Sequence, residues 1–403
     1  MRPLEGIRVV ELGTHVAAPV IARLCADWGA DVIKVESPKG EAYRTVGSAW
    51  KLPAAEDNNP IFQPHNMNKR SLCLNLKTDE GREALMTLLE RADVFVTNTR
   101  VQALERLGIG YEQIRERCPQ LVYAVCTGFG MEGPDRDGPG FDSASFWGRG
   151  GMMAEWSPAE QIPARPHPGF GDSTVASAML AGIMAALFKR ERTGEGDFLT
   201  SSLYGTALWY NFHGIVEAQY PGHDVPVSRY RCPQPSTPVY KAANNVSFFF
   251  VEQKYDEKMP EILRRLGLPQ YAEDARFVTV AQSRTCMKEV VQTLENEFEK
   301  IPYEKFDEVF TALDVVHAKI CTPEDTLYDE QAWANGYFEK INLECGDELV
   351  VPAPPVQFSS FDAPERTLAP QLGADTAEIL RVIGYSDEAI ARMLEAGAAV
   401  QHK

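Results

Sequence analysis

Short apolar segments alternate with segments of helical periodicity through the first third of this chain. The sequence predicts strands over residues 7–12, 31–36, 71–76, 92–98 and 121–126. It predicts helices between them over residues 19–28, 79–91 and 102–107. Strands that are separated by helices predict an α/β fold with a parallel, doubly wound sheet. We therefore expect a Rossmann-like large domain, in which ligands bind beyond the carboxyl ends of the strands.

The turn after the first predicted strand argues against two common ligand classes. Residues 13–18 read Gly-Thr-His-Val-Ala-Ala and lack the GxGxxG pattern of nicotinamide-binding domains. The chain contains neither GxxxxGKS nor GxxxxGKT, so nucleotide hydrolysis is equally unsupported. Both this turn and Asn98 are expected at the ligand-binding edge of the sheet.

The rest of the chain predicts a second, smaller domain. Segments rich in Gly and Pro at residues 135–151 and 162–171 predict active-site loops rather than linkers. The pattern breaks near residues 220 and 232, and a smaller α+β unit is expected beyond that point. The predicted domains are a large domain over residues 1–220, a small α+β domain over 221–320 and a return to the large domain over 321–403.

Composition limits the partners and the compartment. The formal net charge of −17 argues against nucleic acid or an anionic membrane as a partner. Eight scattered cysteines without a CxxC pair predict reduced thiols in a cytoplasm. Because no His/Cys cluster has zinc spacing, we expect no metal site. We also expect no transmembrane segment, because no apolar run reaches that length, and no signal peptide, because the first residues lead directly into a strand.

Local cations still suit an anionic ligand despite the negative total. One group of candidates for binding phosphates is Lys69, Arg70 and Lys77, and a second is Arg100 with Arg106. The alternative for each cation is a solvated surface charge.

The most informative motif is residues 168–172 (Pro-Gly-Phe-Gly-Asp), which precede an apolar helix predicted over residues 175–190. Glycines on both sides of Phe170 allow a tight turn that delivers Asp172 to the start of that helix. One interpretation is an ordinary N-cap, in which amide N–H groups and the helix dipole hold the carboxylate ionised. The other is a nucleophilic carboxylate that forms a covalent acyl intermediate. Local sequence alone leaves both open.

Motifs spread over nearly the whole chain resemble the class III CoA-transferases, the family of formyl-CoA transferase and carnitine CoA-transferase. In family order they are residues 4–11 (LEGIRVVE), 29–36 (GADVIKVE), 69–72 (KRSL), 105–108 (ERLG), 121–123 (LVY), 127–134 (TGFGMEGP) and the step Gly171-Asp172. Residues 139–142 (PGFD), 149–151 (RGG) and 329–335 (DEQAWAN) look most like the 2-hydroxyacid CoA-transferases of amino-acid fermentation. Those enzymes act on phenyllactate or 2-hydroxyisocaproate.

The resemblance implies an interlocked homodimer of open-ring chains with no tightly bound cofactor. Its substrates would be CoA or acyl-CoA and a carboxylic acid. It implies that Asp172 attacks the thioester, which gives a mixed anhydride and then an aspartyl-CoA thioester. It also implies CoA contacts at Val16, Ala17, Leu74, Asn75, Lys77, Asn98, Thr99, Arg100 and Arg106. Ser37 and Pro139 stand where some members carry a basic residue.

Two other functions compete with CoA transfer. An α-methylacyl-CoA racemase resembles this family, but its proton shuttle includes a histidine in a Gly-His-Asp step, where this chain has Gly140-Phe141-Asp142. A non-catalytic protein that binds CoA esters would not need Asp172 at all. The acyl group remains open, since the apolar residues expected to line a pocket are equally typical of a core: Phe146, Trp147, Met152, Met153 and Trp156.

Overall fold

A computed structural model describes residues 2–56, 58–158, 161–222, 228–361 and 366–402. The chain divides into two compact units. The first unit consists of Met1–Met153, Arg165–Val216 and Gln331–Lys403, and the second of Ala154–Ala164 and Glu217–Glu330.

Strands and helices alternate along the first unit, as the sequence predicts. The strands in chain order are β1 Arg8–Leu12, β2 Asp31–Glu36, β3 Arg70–Leu74, β4 Val94–Thr97, β5 Val122–Thr127, β6 Asp197–Ser202, β7 Tyr240–Lys241, β8 Ser247–Val251, β9 Val316–Lys319, β10 Phe338–Asn342, β11 Glu348–Pro352 and β12 Ala399–Val400. The α-helices up to residue 217 are α1 Ala17–Asp27, α2 Gln63–Asn66, α3 Asp79–Leu89, α4 Val101–Arg106, α5 Tyr111–Arg117, α6 Met152–Glu155, α7 Phe170–Thr193, α8 Leu203–Tyr210 and α9 Phe212–Glu217. The remaining α-helices are α10 Tyr255–Arg265, α11 Pro269–Ala272, α12 Ala275–Val278, α13 Val280–Ser283, α14 Met287–Phe298, α15 Tyr303–Ala312, α16 Pro323–Thr326, α17 Glu330–Ala334, α18 Thr376–Val382 and α19 Asp387–Glu395.

The central sheet of the first unit is mostly parallel, which confirms the predicted fold class. Its order is β12-β3-β2-β1-β4-β5-β6, and only β12 runs antiparallel to its neighbour. The chain fills the sheet outward from β1 to β3 and then returns to build the other side from β4. The order therefore reverses between β1 and β4, which is where Rossmann-like sheets bind ligands.

Alternate residues of the strands are buried on opposite faces of this sheet. Val9 and Val94 pack with α1 and α7 on one face, whereas Val10 and Phe95 pack with α3 and α5 on the other. Because both faces are covered, the strands are apolar at almost every position and the sequence pattern is easy to recognise.

The second unit has its own core. Strands β7, β8 and β9 form a small antiparallel sheet. Phe248 and Phe250 of the middle strand pack with Phe298, Phe306 and Phe310 from the helices of the same unit. This aromatic core makes the unit compact by itself.

Helix α7 differs from the predicted helix in two respects. It begins at Phe170 rather than at residue 175, so Asp172 lies inside its first turn. It is also long and apolar enough to span a membrane by length and composition alone, so the expectation that no apolar run has that length was wrong. Its buried residues Val175, Met179 and Ile183 lie in the core of the first unit, as those of a packed core helix do.

Candidate active site

The loop between β1 and α1 lies where the strand order of the sheet reverses. Asn98, directly after β4, holds this loop by two hydrogen bonds to Thr14. Its Oδ1 accepts from Thr14 N at 2.9 Å and its Nδ2 donates to Thr14 O at 2.7 Å. The predicted ligand-binding edge thus brings the first turn and Asn98 together, but the Asn98 amide is used to position the loop.

His15, the next residue of the loop, adopts an unusual backbone conformation. Its φ is +63°, in the left-handed region that a histidine seldom occupies. The conformation is held by a 2.6 Å hydrogen bond from His15 N to Glu41 Oε2. The ring packs against Phe141 and Tyr43, at centroid distances of 5.5 and 5.8 Å. Four neighbours therefore fix both the backbone and the ring: Thr14, Glu41, Tyr43 and Phe141.

A cluster of buried charges lies beneath this loop and anchors Glu41. Lys34 Nζ is 2.7 Å from both Glu41 Oε1 and Glu11 Oε1, and Lys69 Nζ is 2.7 Å from Glu11 Oε2. Burial alone would raise the pKa of Glu11, but the two lysines lower it overall. We call Glu11, Lys34, Lys69 and Glu41 the buried ionic cluster.

The structure corrects the prediction that Lys69 and Arg70 bind phosphates. Lys69 is buried, and burial lowers its pKa to about 8. Its ammonium also donates to Pro19 O, His65 O and Asn66 Oδ1. Arg70 is paired with Asp31 at 2.7 Å. Only Lys77 of that group remains an exposed cation without an ion pair among the described residues.

Asp172 is not the N-cap of α7, which corrects one of the two interpretations. The cap position is Gly169, whose φ of +102° favours glycine and which has no side chain of its own to cap the helix. The carboxylate that serves this helix end comes from Asp142, whose Oδ2 accepts a hydrogen bond from Gly169 N at 3.0 Å. A Cβ at residue 171 would clash with the Asp142 carboxylate and the Phe146 ring, so glycine is required at that position.

The two carboxylates have different environments. Burial raises the pKa of Asp142, and the amide N–H groups of Gly169, Gly171 and Asp172 partly oppose that rise. No such donor to Asp172 is found among the described residues, and burial together with the nearby Asp142 charge raises its pKa to about 7. This outcome contradicts the expectation that amide groups and the helix dipole hold Asp172 ionised. Its carboxylate is a strong base for its type, half protonated near neutral pH.

Asp172 lines a cavity of about 370 Å³ at the reversal point of the sheet. Four of the residues predicted to bind CoA also line it: Ala17, Asn98, Thr99 and Arg100. Residues from the predicted active-site loop complete one wall: Arg136, Asp137, Gly138, Gly140 and Phe141. Cys126 lines it as well, but burial followed by the Asp172 charge raises the pKa of its thiol to about 12. Asp172 is therefore the better nucleophile of the two at neutral pH.

The other predicted CoA contacts lie outside this cavity. Val16 and Leu74 are buried apolar residues. Asn75 Nδ2 donates to Gly397 O, and its Oδ1 accepts from Lys77 N. Arg106 is exposed on α4, and its Nε donates to Gln102 O. Leu74, Asn75 and Lys77 follow or end β3, so they lie along the same edge of the sheet as the cavity.

Sequence reasoning gave no role to two residues of this site, His15 and Asp142. The left-handed backbone of His15 has no sequence signal, because histidine rarely adopts it. Asp142 stands within a family motif that assigns it no role, and its proximity to the start of α7 depends on a contact 27 residues away. The best sequence signal for a role of Asp142 is the pair Phe146-Trp147 that follows it and packs on Phe170.

A larger groove of about 650 Å³ lies near α4 and α5. Three carboxylates line it, those of Glu105, Glu112 and Glu116, so it would repel phosphate groups. Among the described residues no group of three or more His, Cys, Asp or Glu side chains is arranged to hold a metal ion. The cavity at Asp172 is thus the better candidate for an anionic thioester.

The chain is similar to known proteins along nearly its whole length. Residues 4–376 match the family described as CoA-transferase family III. The chain is 36% identical to (R)-2-hydroxy-4-methylpentanoate CoA-transferase from Clostridioides difficile, over 96% of this chain and 97% of that protein. It is 34% identical to cinnamoyl-CoA:phenyllactate CoA-transferase from Clostridium sporogenes, over 96% and 94%. The crystal structure of a CAIB/BAIF family protein from Brucella suis superposes with a TM-score of 0.82 at 27% identity, over 95% of this chain and 99% of that one.

Proposed function

The chain belongs to CoA-transferase family III, and we propose that it moves CoA from an acyl-CoA to a 2-hydroxyacid through covalent intermediates on Asp172. The observation that carries the proposal is the Asp172 carboxylate. It is largely buried, lines a cavity at the ligand-binding edge and has a pKa raised to about 7. The names of the two 2-hydroxyacid relatives support the choice of acceptor.

The proposed reaction passes through two intermediates. The ionised Asp172 attacks the thioester carbonyl carbon, the C–S bond breaks, and CoA leaves as the thiolate. The thiolate then attacks the aspartyl carbonyl of the mixed anhydride, which releases the donor acid as a carboxylate and leaves an aspartyl-CoA thioester. The carboxylate of the acceptor repeats the two steps in reverse, so CoA leaves on the acceptor and Asp172 is regenerated.

The electrostatics of Asp172 suit each step. Among the described residues no cation lies within ion-pair distance of its carboxylate, so its electron pairs are not held by a salt bridge. A carboxylate whose pKa is raised by burial is a stronger nucleophile than one in water. The partial burial of Asp172 would also limit the access of water to an anhydride, which hydrolyses in water.

CoA is proposed to extend along the carboxyl edge of the sheet, from the cavity towards the end of β3. Arg100 lines the cavity and forms no ion pair among the described residues, so it is available to a phosphate. Lys77 would meet the more distant part of the cofactor, as the family resemblance implies. We expect Arg100→Ala to raise the KM for acyl-CoA more than it lowers kcat. An unchanged KM would place CoA elsewhere.

A homodimer is proposed as the working form. The outward side of α7 exposes Ala178 and Phe188, and α8 exposes Trp209 and Tyr210. Ala178, Trp209 and Tyr210 line one surface cavity of about 450 Å³. So large an apolar surface is typical of an interface, and the resemblance names a second copy as its occupant. Light scattering should find a dimer, and a mass of one chain would contradict the proposal.

Racemisation of a CoA ester is a second candidate, because one observation favours it. Phe141 replaces the histidine of a racemase motif, but His15 packs against Phe141 and lines the same cavity as Asp172. The site therefore contains a second group that can accept a proton. A non-catalytic CoA-ester binding protein would not need either group.

Trapping of the acyl-enzyme separates these functions. The protein is incubated with 4-methylpentanoyl-CoA, without an acceptor, and then with hydroxylamine. Hydroxylamine attacks the aspartyl carbonyl of an anhydride or thioester, so peptide mass mapping should find a hydroxamate at Asp172. Asp137→Asn, which changes another carboxylate of the cavity, is the control and should still form it. A racemase would form no hydroxamate but would exchange the C2 hydrogen with deuterated solvent, and a binding protein would do neither.

The proposed compartment is the cytoplasm. All eight cysteines are free thiols, and four of them are buried. Thiols in this number are typical of a reducing compartment. Localisation of a tagged full-length chain in its own cell would test this, and export would contradict it.

A further inference from the structure

We propose that His15 recognises the 2-hydroxyl group of the acceptor acid. The inference rests on the proposed transferase function and names the residue that selects its substrate. It follows from which polar groups of the Asp172 cavity are already used within the protein and which are not.

Most polar side chains that line the cavity are engaged. Asn98 uses both ends of its amide on the backbone of Thr14. Thr127 Oγ1 donates to Ser201 O and accepts from Gly130 N. The remaining engaged groups are Thr99, whose hydroxyl donates to Leu12 O, and Arg136, which is paired with Asp137 at 3.2 Å.

Apart from the Cys126 thiol, which is a weak donor, and Asp137, whose charge is paired with Arg136, three side-chain groups of the described cavity wall keep hydrogen-bonding atoms for a substrate. They are the Asp172 carboxylate, the Arg100 guanidinium and the Nε2 atom of His15. The Nδ1 atom of His15 is already 3.1 Å from Thr14 Oγ1. Asp172 is proposed to react with the carbonyl carbon, and Arg100 suits an anionic group such as a phosphate or carboxylate. His15 is thus left for a neutral polar group of the acid.

A hydroxyl group matches the chemistry of this imidazole. Thr14 Oγ1 can either donate to Nδ1 or accept from it, so Nε2 is a donor in one tautomer and an acceptor in the other. A hydroxyl donates and accepts, so it fits both tautomers. A carboxylate only accepts, and it would fit one of them. The 2-hydroxyl is the group that distinguishes a 2-hydroxyacid from its parent acid.

The position of the imidazole is fixed before any substrate binds. The left-handed backbone is strained for a residue other than glycine. The bond from His15 N to Glu41 holds it there, and Lys34 and Glu11 hold Glu41 in turn. Strain that a structure maintains in this way is concentrated at functional sites. A hydrogen-bonding group fixed so firmly can discriminate between substrates that differ by one hydroxyl.

The test compares two acceptors that differ only in that hydroxyl. With acetyl-CoA as donor, kcat/KM is measured for 2-hydroxy-4-methylpentanoate and for 4-methylpentanoate. His15→Gly removes the imidazole but tolerates the left-handed backbone. We expect it to lower kcat/KM for the hydroxyacid about 10- to 100-fold and that for the parent acid less than about threefold. His15→Asn tolerates the same backbone, keeps a polar group and should recover part of the preference.

Asp314→Gly is the matched control, because Asp314 also has a positive φ, of +51°, but belongs to the other compact unit. It should leave the ratio of the two kcat/KM values unchanged. An equal fall for both acids in His15→Gly would show a role in holding the loop and would overturn the proposal. The proposal would also be overturned if His15→Gly left both kcat/KM values unchanged, or if the protein catalysed a C2-hydrogen exchange that depends on His15. If the unaltered protein transfers CoA to neither acid, the proposed function itself fails, and this is seen before any variant is made.

Discussion

Two groups of buried charge lie in the same compact unit, and they differ in how their charges are compensated. In the buried ionic cluster, Lys34 and Lys69 are each 2.7 Å from a carboxylate oxygen of Glu11, and Lys34 also meets Glu41. At the start of α7, Asp142 and Asp172 are neighbours with no cation within ion-pair distance among the described residues. The first group is neutralised inside the protein, whereas the second depends on a proton.

The difference separates a structural role from a chemical one. A buried charge is stabilised when it is paired and hydrogen-bonded, and then it is unreactive. A buried carboxylate without a cation has a raised pKa, as Asp172 has. Its ionised form is then a stronger nucleophile towards a carbonyl carbon than a carboxylate in water. We therefore expect substitutions in the cluster to change stability, and substitutions at Asp172 to change chemistry.

The largest expected effect is the loss of transfer in Asp172→Asn. Removal of a nucleophile should lower kcat for CoA transfer by about 10³-fold or more, since the other carboxylate of the cavity, Asp137, is paired with Arg136 and the pKa of the Cys126 thiol is raised to about 12. Binding of CoA, measured by calorimetry, should remain within about threefold, because Asp172 contacts the reacting carbon rather than the cofactor's phosphates. A variant that keeps a tenth of the activity would contradict the covalent mechanism.

The next effect concerns the cluster. Lys34→Met leaves Glu41 without its cation and Glu11 with one of its two, so it should lower the free energy of unfolding by about 3–5 kcal/mol. Urea unfolding followed by circular dichroism would measure it. Lys189→Met removes an exposed ion pair with Asp197 and is the matched control, with a nearly unchanged midpoint expected. Equal midpoints for both variants would remove the distinction between the two regions.

The smallest effect should be a gain in stability for Asp172→Asn that depends on pH. The pKa of Asp172 is about 7 in the folded protein and about 4 when unfolded, so ionisation disfavours folding. That penalty is absent below pH 4, grows as the pH rises and is complete above pH 7. The variant should therefore be more stable than the parent by about 1–3 kcal/mol at pH 8, and by less at pH 5.

Unfolding of both proteins at pH 5 and pH 8 measures this gain, with Asp137→Asn as the control. Asp137 already has Arg136 as its partner, so its replacement should bring no gain at pH 8. A stability difference for Asp172→Asn that is the same at both pH values would mean that folding does not raise the pKa of Asp172.

The strands of the sheet could be predicted because they are buried on both faces. A run such as Val94–Thr97 has no exposed position, so its apolar pattern does not depend on register or on distant contacts. The start of α7 could not be predicted in the same way. Its first turn contains Gly-Phe-Gly, which favours a loop locally, but Phe170 packs on Phe146 and Trp147 and the helix extends to include it.

The candidate site was predictable only where family motifs mark it. Asp172 stands in such a motif, Arg100 is a contact that the family resemblance implies, and both line the cavity. Lys69 also stands in a motif, but its proposed role was wrong. A lysine next to an arginine looks like a solvent-exposed phosphate ligand, and nothing local shows that Glu11 will lie 2.7 Å away.

The sequence by itself determined the alternation of strands and helices, and with it the parallel sheet and the edge at which sheets of this kind bind ligands. These depend on the periodicity of apolar residues, which is a local property of the chain. Only the tertiary structure decided the state of each charge. Asp142 reaches Gly169 across 27 residues, and Lys69 reaches Glu11 across 58. The pKa of a buried group depends on such neighbours and on the water that folding removes, so the raised pKa of Asp172 and the ion pairs of Lys34 appear only once the chain has folded.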